Sequence, residues 1–268
     1  MKRTALFLAF LILLAGCGEK ADRPASTDAE VQKLSNQTLK WGLKKNKNAP
    51  PDINPGEDEL LKKCDSFYIG DSSKKEIYLT FDEGYENGYT GQILDVLKKQ
   101  NVPACFFVTG PYLKSEGDLI KRMVDEGHEV GNHTVNHPSM PDVKNLEQLE
   151  NEMLDLDRTF YGMTGKTMKF MRPPMGEHSE RTLAVTKSLG YTSVFWSIAY
   201  LDWDVKVQKG TQFVLDSVLN HLHNGAIILM HAVSQDNANA LESVITEARN
   251  QGYTFQPLSN LITPAAQE

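Results

Sequence analysis

Two adjacent acids, Asp82 and Glu83, stand where an apolar, alternating run from Glu76 to Phe81 (EIYLTF) breaks at Gly84. Successive side chains on extended backbone diverge, so one carboxylate can bind a cation while its neighbour moves a proton. Farther on, His133 and His137 are four apart, the spacing that sets two imidazoles on one side of a helical turn, which Pro138 should end. Two imidazoles and a carboxylate make a facial set with open positions for water, suited to Zn(II) and also to Fe, Co or Mn. Arg172 carries a permanent charge on a planar fork that can hold an acid in place and keep it ionised. The stiff turn after it, Pro173-Pro174-Met175-Gly176, could aim a backbone N–H at a reacting oxygen. Asp202 and His231 follow two later apolar runs; an Asp bonded to a His raises its pKa and makes it a better general acid. Trp203 reads equally as a wall for a sugar face and as a half-buried core tryptophan.

Each group has a plainer reading as a solvated turn, an exposed histidine or a surface arginine. What argues against accident is placement, because every one falls just beyond a different predicted strand. Strand candidates are Glu76–Phe81, Ala104–Val108, His128–Asn132, Lys169–Met171, Thr192–Trp196, Ala226–Met230 and Tyr253–Gln256. Helices are predicted over 88–100, 119–126, 143–161, 181–189, 211–222 and 238–251, several closed by a glycine. Regular alternation predicts parallel βα units, and roughly seven of them point to a closed or nearly closed barrel with its chemistry at the strand C-termini. His128, His178, His221 and His223 lack such placement and read as structural.

The ends bound the setting. Lys2 and Arg3, an apolar run from Ala5 to Leu14 and Leu14-Ala15-Gly16-Cys17 read as a secretory leader over 1–16, too short for a stable span. The last four resemble a bacterial lipobox, which implies lipidation of Cys17. Loss of Lys2 and Arg3 would move the net charge from −7 to −9, with 26 basic against 35 acidic residues, which argues against nucleic acid as a partner. Residues 17–58 are polar and carry Pro24, Pro50, Pro51 and Pro55. They read as a lipid-anchored linker with a short helix near 38–44, leaving 59–268 as one catalytic domain. Cys64 and Cys105 could pair in an oxidising location, but this is no disulfide scaffold.

The ordered set Thr80-Phe81-Asp82-Glu83-Gly84, His133-x-x-x-His137, Arg172-x-Pro174, Asp202-Trp203 and Leu229-x-His231 resembles the polysaccharide deacetylases of carbohydrate esterase family four. The match covers about 76–261. A narrower resemblance, to the delta-lactam-biosynthetic de-N-acetylases of spore-forming bacteria, rests on Tyr78 to Thr90, Ser179 to Ala184, His231 to Ser234 with Asp236 to Ala238, and the stretch from Trp41-Gly42 to Pro50-Pro51.

The resemblance implies a distorted (β/α)7–8 barrel and metal-dependent removal of N-acetyl groups, in the narrower case from N-acetylmuramic acid of peptidoglycan. It implies Asp82 as general base, Glu83, His133 and His137 as metal ligands with zinc foremost, and Arg172 orienting Asp82. Asp202 would tune His231 as general acid, and Tyr85, Met175, Trp203 and Leu229 would shape the groove, the Met175 backbone N–H meeting the oxyanion. Glu83 stands where most of the family has Asp and lactam-type relatives often have Asn; Met175 replaces a common Tyr. A monomer tethered outside the cell and facing the wall is expected. The alternatives are a deacetylase of N-acetylglucosamine in peptidoglycan or another glycan, and a glycan-binding lipoprotein that has lost turnover through Glu83.

Overall fold

The computed structural model describes residues 28–262; the leader and Cys17 lie outside them. The chain begins with a short helix α1 (Asp28–Val31), strand β1 (Leu39–Lys40), a hairpin of β2 (Leu43–Asn46) and β3 (Ala49–Ile53), and helix α2 (Glu57–Lys63). The alternating part opens at β4 (Glu76–Glu83) and continues with α3 (Thr90–Gln100), β5 (Cys105–Val108), α4 (Gly110–Ser115), α5 (Gly117–Asp125) and β6 (Glu129–Asn132). Then come α6 (Leu146–Thr164), β7 (Phe170–Met171), β8 (Glu177–His178), α7 (Glu180–Ser188), β9 (Thr192–Ser193), α8 (Thr211–Leu219), β10 (Ile227–His231), α9 (Gln235–Asn250) and β11 (Thr254–Phe255).

Seven parallel strands form one curled sheet in the order β10-β4-β5-β6-β7-β9, with β11 pairing on the first residues of β4. Between β9 and β10 the ladder thins to single bridges, Phe67 to Val194 and Ile198 to Ile228. The ring is thus nearly closed but irregular there, the expected α/β distorted barrel. The predicted strand Thr192–Trp196 survives as two ladder residues followed by these bridges.

Side-chain parity divides the core. Ile77, Leu79 and Phe81 of β4 pack outward with Leu94, Tyr112 and Leu241 of the surrounding helices. Tyr78 faces inward with Cys105, Phe107, Phe170, Val194 and Ile227. β6 closes tightly on that interior, since a Cβ on Gly131 would lie 2.5 Å from the Phe107 ring.

The linker reading of 17–58 is corrected where the chain is described. The stretch 38–44 holds β1 and the start of β2 and no helix: β1 pairs antiparallel with β8, Leu39 opposite His178 and Lys40 opposite Glu177. Trp41 is buried, and its Nε1–H donates to the Trp196 carbonyl at 3.0 Å. It packs with Leu61, Cys64, Leu183 and Phe195 in a cluster of its own. A polar, proline-rich composition hides this because a single large aromatic ring, Trp41, anchors the stretch in the core. The folded unit therefore starts ahead of residue 39, not at 59. Cys64 and Cys105 are free thiols buried in different clusters.

Candidate active site

The catalytic candidates meet at the C-terminal rim of the sheet, and strand register decides who faces whom. Asp82 on β4 and His231 on β10 are direct partners in the parallel ladder. Arg172 follows β7 and reaches across the interior, where its Nη1–H donates to Asp82 Oδ1 at 2.7 Å. Its other groups donate to the carbonyls of Val194 and Phe195, and its charge lies 4.2 Å from the Phe107 ring centroid. The guanidinium is fully buried, yet its charge is matched. Burial opposes ionisation of Asp82, but Arg172, with His133 and His231 beside it, outweighs burial and holds the carboxyl below its ordinary pKa.

His231 is set by three groups. Its Nδ1 lies 2.7 Å from Asp202 Oδ1, and its backbone N–H donates to Asp202 Oδ2 at 2.8 Å. Asn237 donates to the same Oδ2 at 2.6 Å and itself accepts from the Tyr200 hydroxyl. Burial pulls the imidazole pKa down, but the bond to Asp202 overcomes it, and the net shift is upward. With Nδ1 occupied, Nε2 is the nitrogen left for a substrate proton. Asn237 had no assigned role in the sequence; its signal was its place in the Asp236 to Ala238 stretch of the narrower resemblance, and the structure sets it in the first turn of α9, beside His231.

His133 and His137 come together, their ring centroids 4.7 Å apart, but not on a helical turn as the spacing predicted. Thr134 and His137 both adopt left-handed backbone, with φ of 65° and 55°. Asn132 Oδ1 accepts from the Thr134 N–H, and Thr134 Oγ1 accepts from the His137 N–H. These local bonds and Pro138 favour an irregular loop over a helix. His133 Nδ1 is 2.8 Å from the Arg172 carbonyl, which can only accept, so Nδ1 carries the hydrogen and Nε2 a lone pair 3.6 Å from Asp82 Oδ2. Burial lowers the pKa of His133 to about 4 and also lowers that of His137. Both rings are therefore neutral donors at neutral pH, with His133 oriented as metal-binding histidines are.

Glu83 departs from the expected ligand set. β4 runs two residues past Phe81, so Glu83 takes the outward parity of Ile77, Leu79 and Phe81 while Asp82 faces in. It is fully buried under the helices, and neither carboxylate oxygen has a hydrogen-bond partner among the described residues. Burial, with Glu86 and Asp82 adding, pushes its pKa well above the ordinary value. No three His, Cys, Asp or Glu side chains among the described residues are gathered to hold a metal. The two imidazoles fit a divalent cation as neutral, pre-oriented donors; Glu83 does not complete their set.

Three of the four groove residues are exposed: Tyr85, Met175 and Trp203, at 51%, 55% and 58%. Leu229 is buried, two residues before His231 on the same strand face. Met175 has left-handed backbone, φ 58°.

A family model described as polysaccharide deacetylase matches residues 69–194. The chain is 45% identical over 236 residues to the peptidoglycan-N-acetylmuramic acid deacetylase PdaA of Bacillus subtilis, covering 87% of this chain and 89% of that one. It is 51% identical over 231 residues to an uncharacterized 30.6 kDa protein of Geobacillus stearothermophilus, covering 85% and 87%. The solved structure of B. subtilis PdaA, described as a family 4 carbohydrate esterase, superposes with a TM-score of 0.83 at 45% identity, covering 85% of this chain and 98% of that one.

Proposed function

This chain belongs to the polysaccharide deacetylase family, and we propose that it hydrolyses the N-acetyl group of N-acetylmuramic acid residues in peptidoglycan, freeing an amine that can close a lactam with the neighbouring lactyl carboxylate. The observation that carries the chemistry is the rim on which Asp82, anchored by Arg172, faces His231, anchored by Asp202. One carboxylate is kept ionised and one imidazole is kept basic, the pairing that amide hydrolysis needs.

Asp82 takes a proton from the attacking water as its oxygen bonds to the acetyl carbon. His231, protonated at Nε2, gives its proton to the amide nitrogen as the carbon–nitrogen bond breaks, so the sugar leaves as an amine and acetate remains. Arg172 keeps Asp82 from rotating or protonating, and the Met175 backbone N–H meets the developing oxyanion. Tyr85 and Trp203 flank the groove as apolar faces for sugar rings, with Leu229 beneath. His133 and His137 would hold the divalent metal on which the family depends, zinc by the chemistry of two imidazoles, and it would supply Lewis acidity toward the acetyl carbonyl and a more acidic water.

The leader and the lipobox cysteine support an enzyme anchored by a lipid on Cys17, outside the cell; a monomer acting on the glycan strand of the wall is part of the same proposal. Metabolic labelling with a radioactive fatty acid, compared with Cys17→Ala, tests the anchor.

Mass spectrometry of peptide-stripped peptidoglycan tests the substrate, after incubation with residues 18–268 and a divalent metal, beside Asp82→Asn. Loss of one acetyl group from muramic acid, with or without a following loss of water, is expected from the parent alone. Acetyl loss confined to glucosamine would discard the muramic reading, and no loss with zinc, cobalt or manganese would leave a glycan-binding lipoprotein.

A further inference from the structure

We infer that Glu57 and His178 act as a pair of positioning residues for the Met175–Gly176 backbone; their catalytic consequence rests on the deacetylase reading above. Met175 and Gly176 are consecutive left-handed residues, φ 58° and 67°; glycine adopts this conformation freely, but at Met175 it persists only where the surroundings over-determine it. The Gly176 carbonyl accepts from the Trp41 backbone N–H at 3.0 Å and lies 3.1 Å from His178 Nδ1. A Cβ on Gly176 would stand 2.8 Å from Trp41 Cβ and 3.0 Å from the Trp196 ring, so the loop cannot shift toward either tryptophan.

His178 is fully buried and meets the Phe195 ring edge-on at 4.9 Å. Its Nε2 lies 3.0 Å from Oε2 of Glu57, a buried carboxylate at the start of α2. A carbonyl can only accept, so Nδ1 carries a hydrogen, and one proton bridges Nε2 and Glu57. Turning the ring over would replace both nitrogens with carbons, so Glu57 locks the imidazole that steers Gly176. Phe195 also accepts from Arg172 through its carbonyl. The pair thus braces, from behind, both the loop meeting the oxyanion and the arginine holding Asp82.

Variants at 178 separate the two bonds. Asparagine places its amide near Nδ1 and keeps a donor for Gly176, whereas glutamine reaches the Nε2 position and keeps only the Glu57 contact. His178→Gln is expected to lower kcat by roughly 10- to 100-fold, because a displaced oxyanion donor weakens only the transition state, with KM changed less than about threefold. His178→Asn should recover kcat to within about fivefold of the parent. Amide exchange at Met175 and Gly176, read by mass spectrometry, should accelerate in His178→Gln without a global change. If His178→Gln does not fold, Glu57→Gln is read by the same kcat–KM split and the same exchange. A lower Tm with unchanged kcat, or a raised KM with unchanged kcat, would overturn the catalytic role. Unchanged exchange at Met175–Gly176 would overturn the positioning itself, whereas a parent that releases no acetate would overturn the deacetylase reading.

Discussion

Asp82 and His231 are register partners on adjacent parallel strands, so the proposed base and acid face one rim from backbones about 4.8 Å apart. Their pKa values are driven in opposite directions, below the ordinary value for Asp82 and above it for His231. Both reactive forms, carboxylate and imidazolium, coexist between those limits. A plot of kcat/KM against pH should therefore fall on the alkaline side above the usual histidine value, as His231 loses its proton. On the acid side it should fall only below the ordinary carboxylate value, as Asp82 gains one. Asp202→Asn removes the bond that raises His231, so its alkaline limb should move to lower pH, with kcat down by about 10²- to 10³-fold. An alkaline limb that stays in place would exclude Asp202 from tuning the acid.

Arg172 is the only charge in direct hydrogen bond with Asp82 among the described residues. Arg172→Met would leave a buried carboxylate unmatched, a loss of about 3–5 kcal/mol in folding stability at pH 7. Asp82 has a depressed folded pKa, so its contribution to stability is fully present above its unfolded value and lost as pH falls through the folded one. Urea unfolding of parent and variant at several pH values should show the gap narrowing below about pH 4.

Metal affinity should depend on the imidazoles and not on Glu83. His133→Ala and His137→Ala are expected to weaken zinc binding by more than about 100-fold, whereas Glu83→Gln should stay within about threefold, since its carboxylate lies in the outer layer. Calorimetric zinc titration of the metal-stripped proteins decides this. A large loss in Glu83→Gln would show that the side chain turns inward when the metal binds.

The N-terminal stretch holding β1 and Trp41 is part of the folded unit. Trp41→Ala should cost about 3–5 kcal/mol, and a chain starting at residue 59 should melt well below one starting at residue 28. Equal melting temperatures for the two lengths, by calorimetry, would restore the linker reading.

The barrel and most of the site were legible because their signals are local. The alternation of Glu76 to Phe81 marked a strand from its own side chains, and the helix ends were marked by glycines such as Gly127 and Gly190. Asp82, His133, Arg172 and His231 could be placed at strand ends without knowing which strands were neighbours. The stretch containing Trp41 was misread because its partners, Gly176 and Trp196, lie far along the chain and leave no periodic trace in a polar, proline-rich segment. His178 looked structural for the same reason, since Glu57 lies 121 residues away.

By itself the sequence determined the kinds of groups available, their order and the strand ends that present them, because propensity and alternation act over a few residues. Only the tertiary structure decided that His231 stands opposite Asp82, that two left-handed residues bring His133 and His137 together, and that Glu83 turns away from them. Register, loop geometry and the face of a strand's last residue are settled by packing among segments distant in the chain.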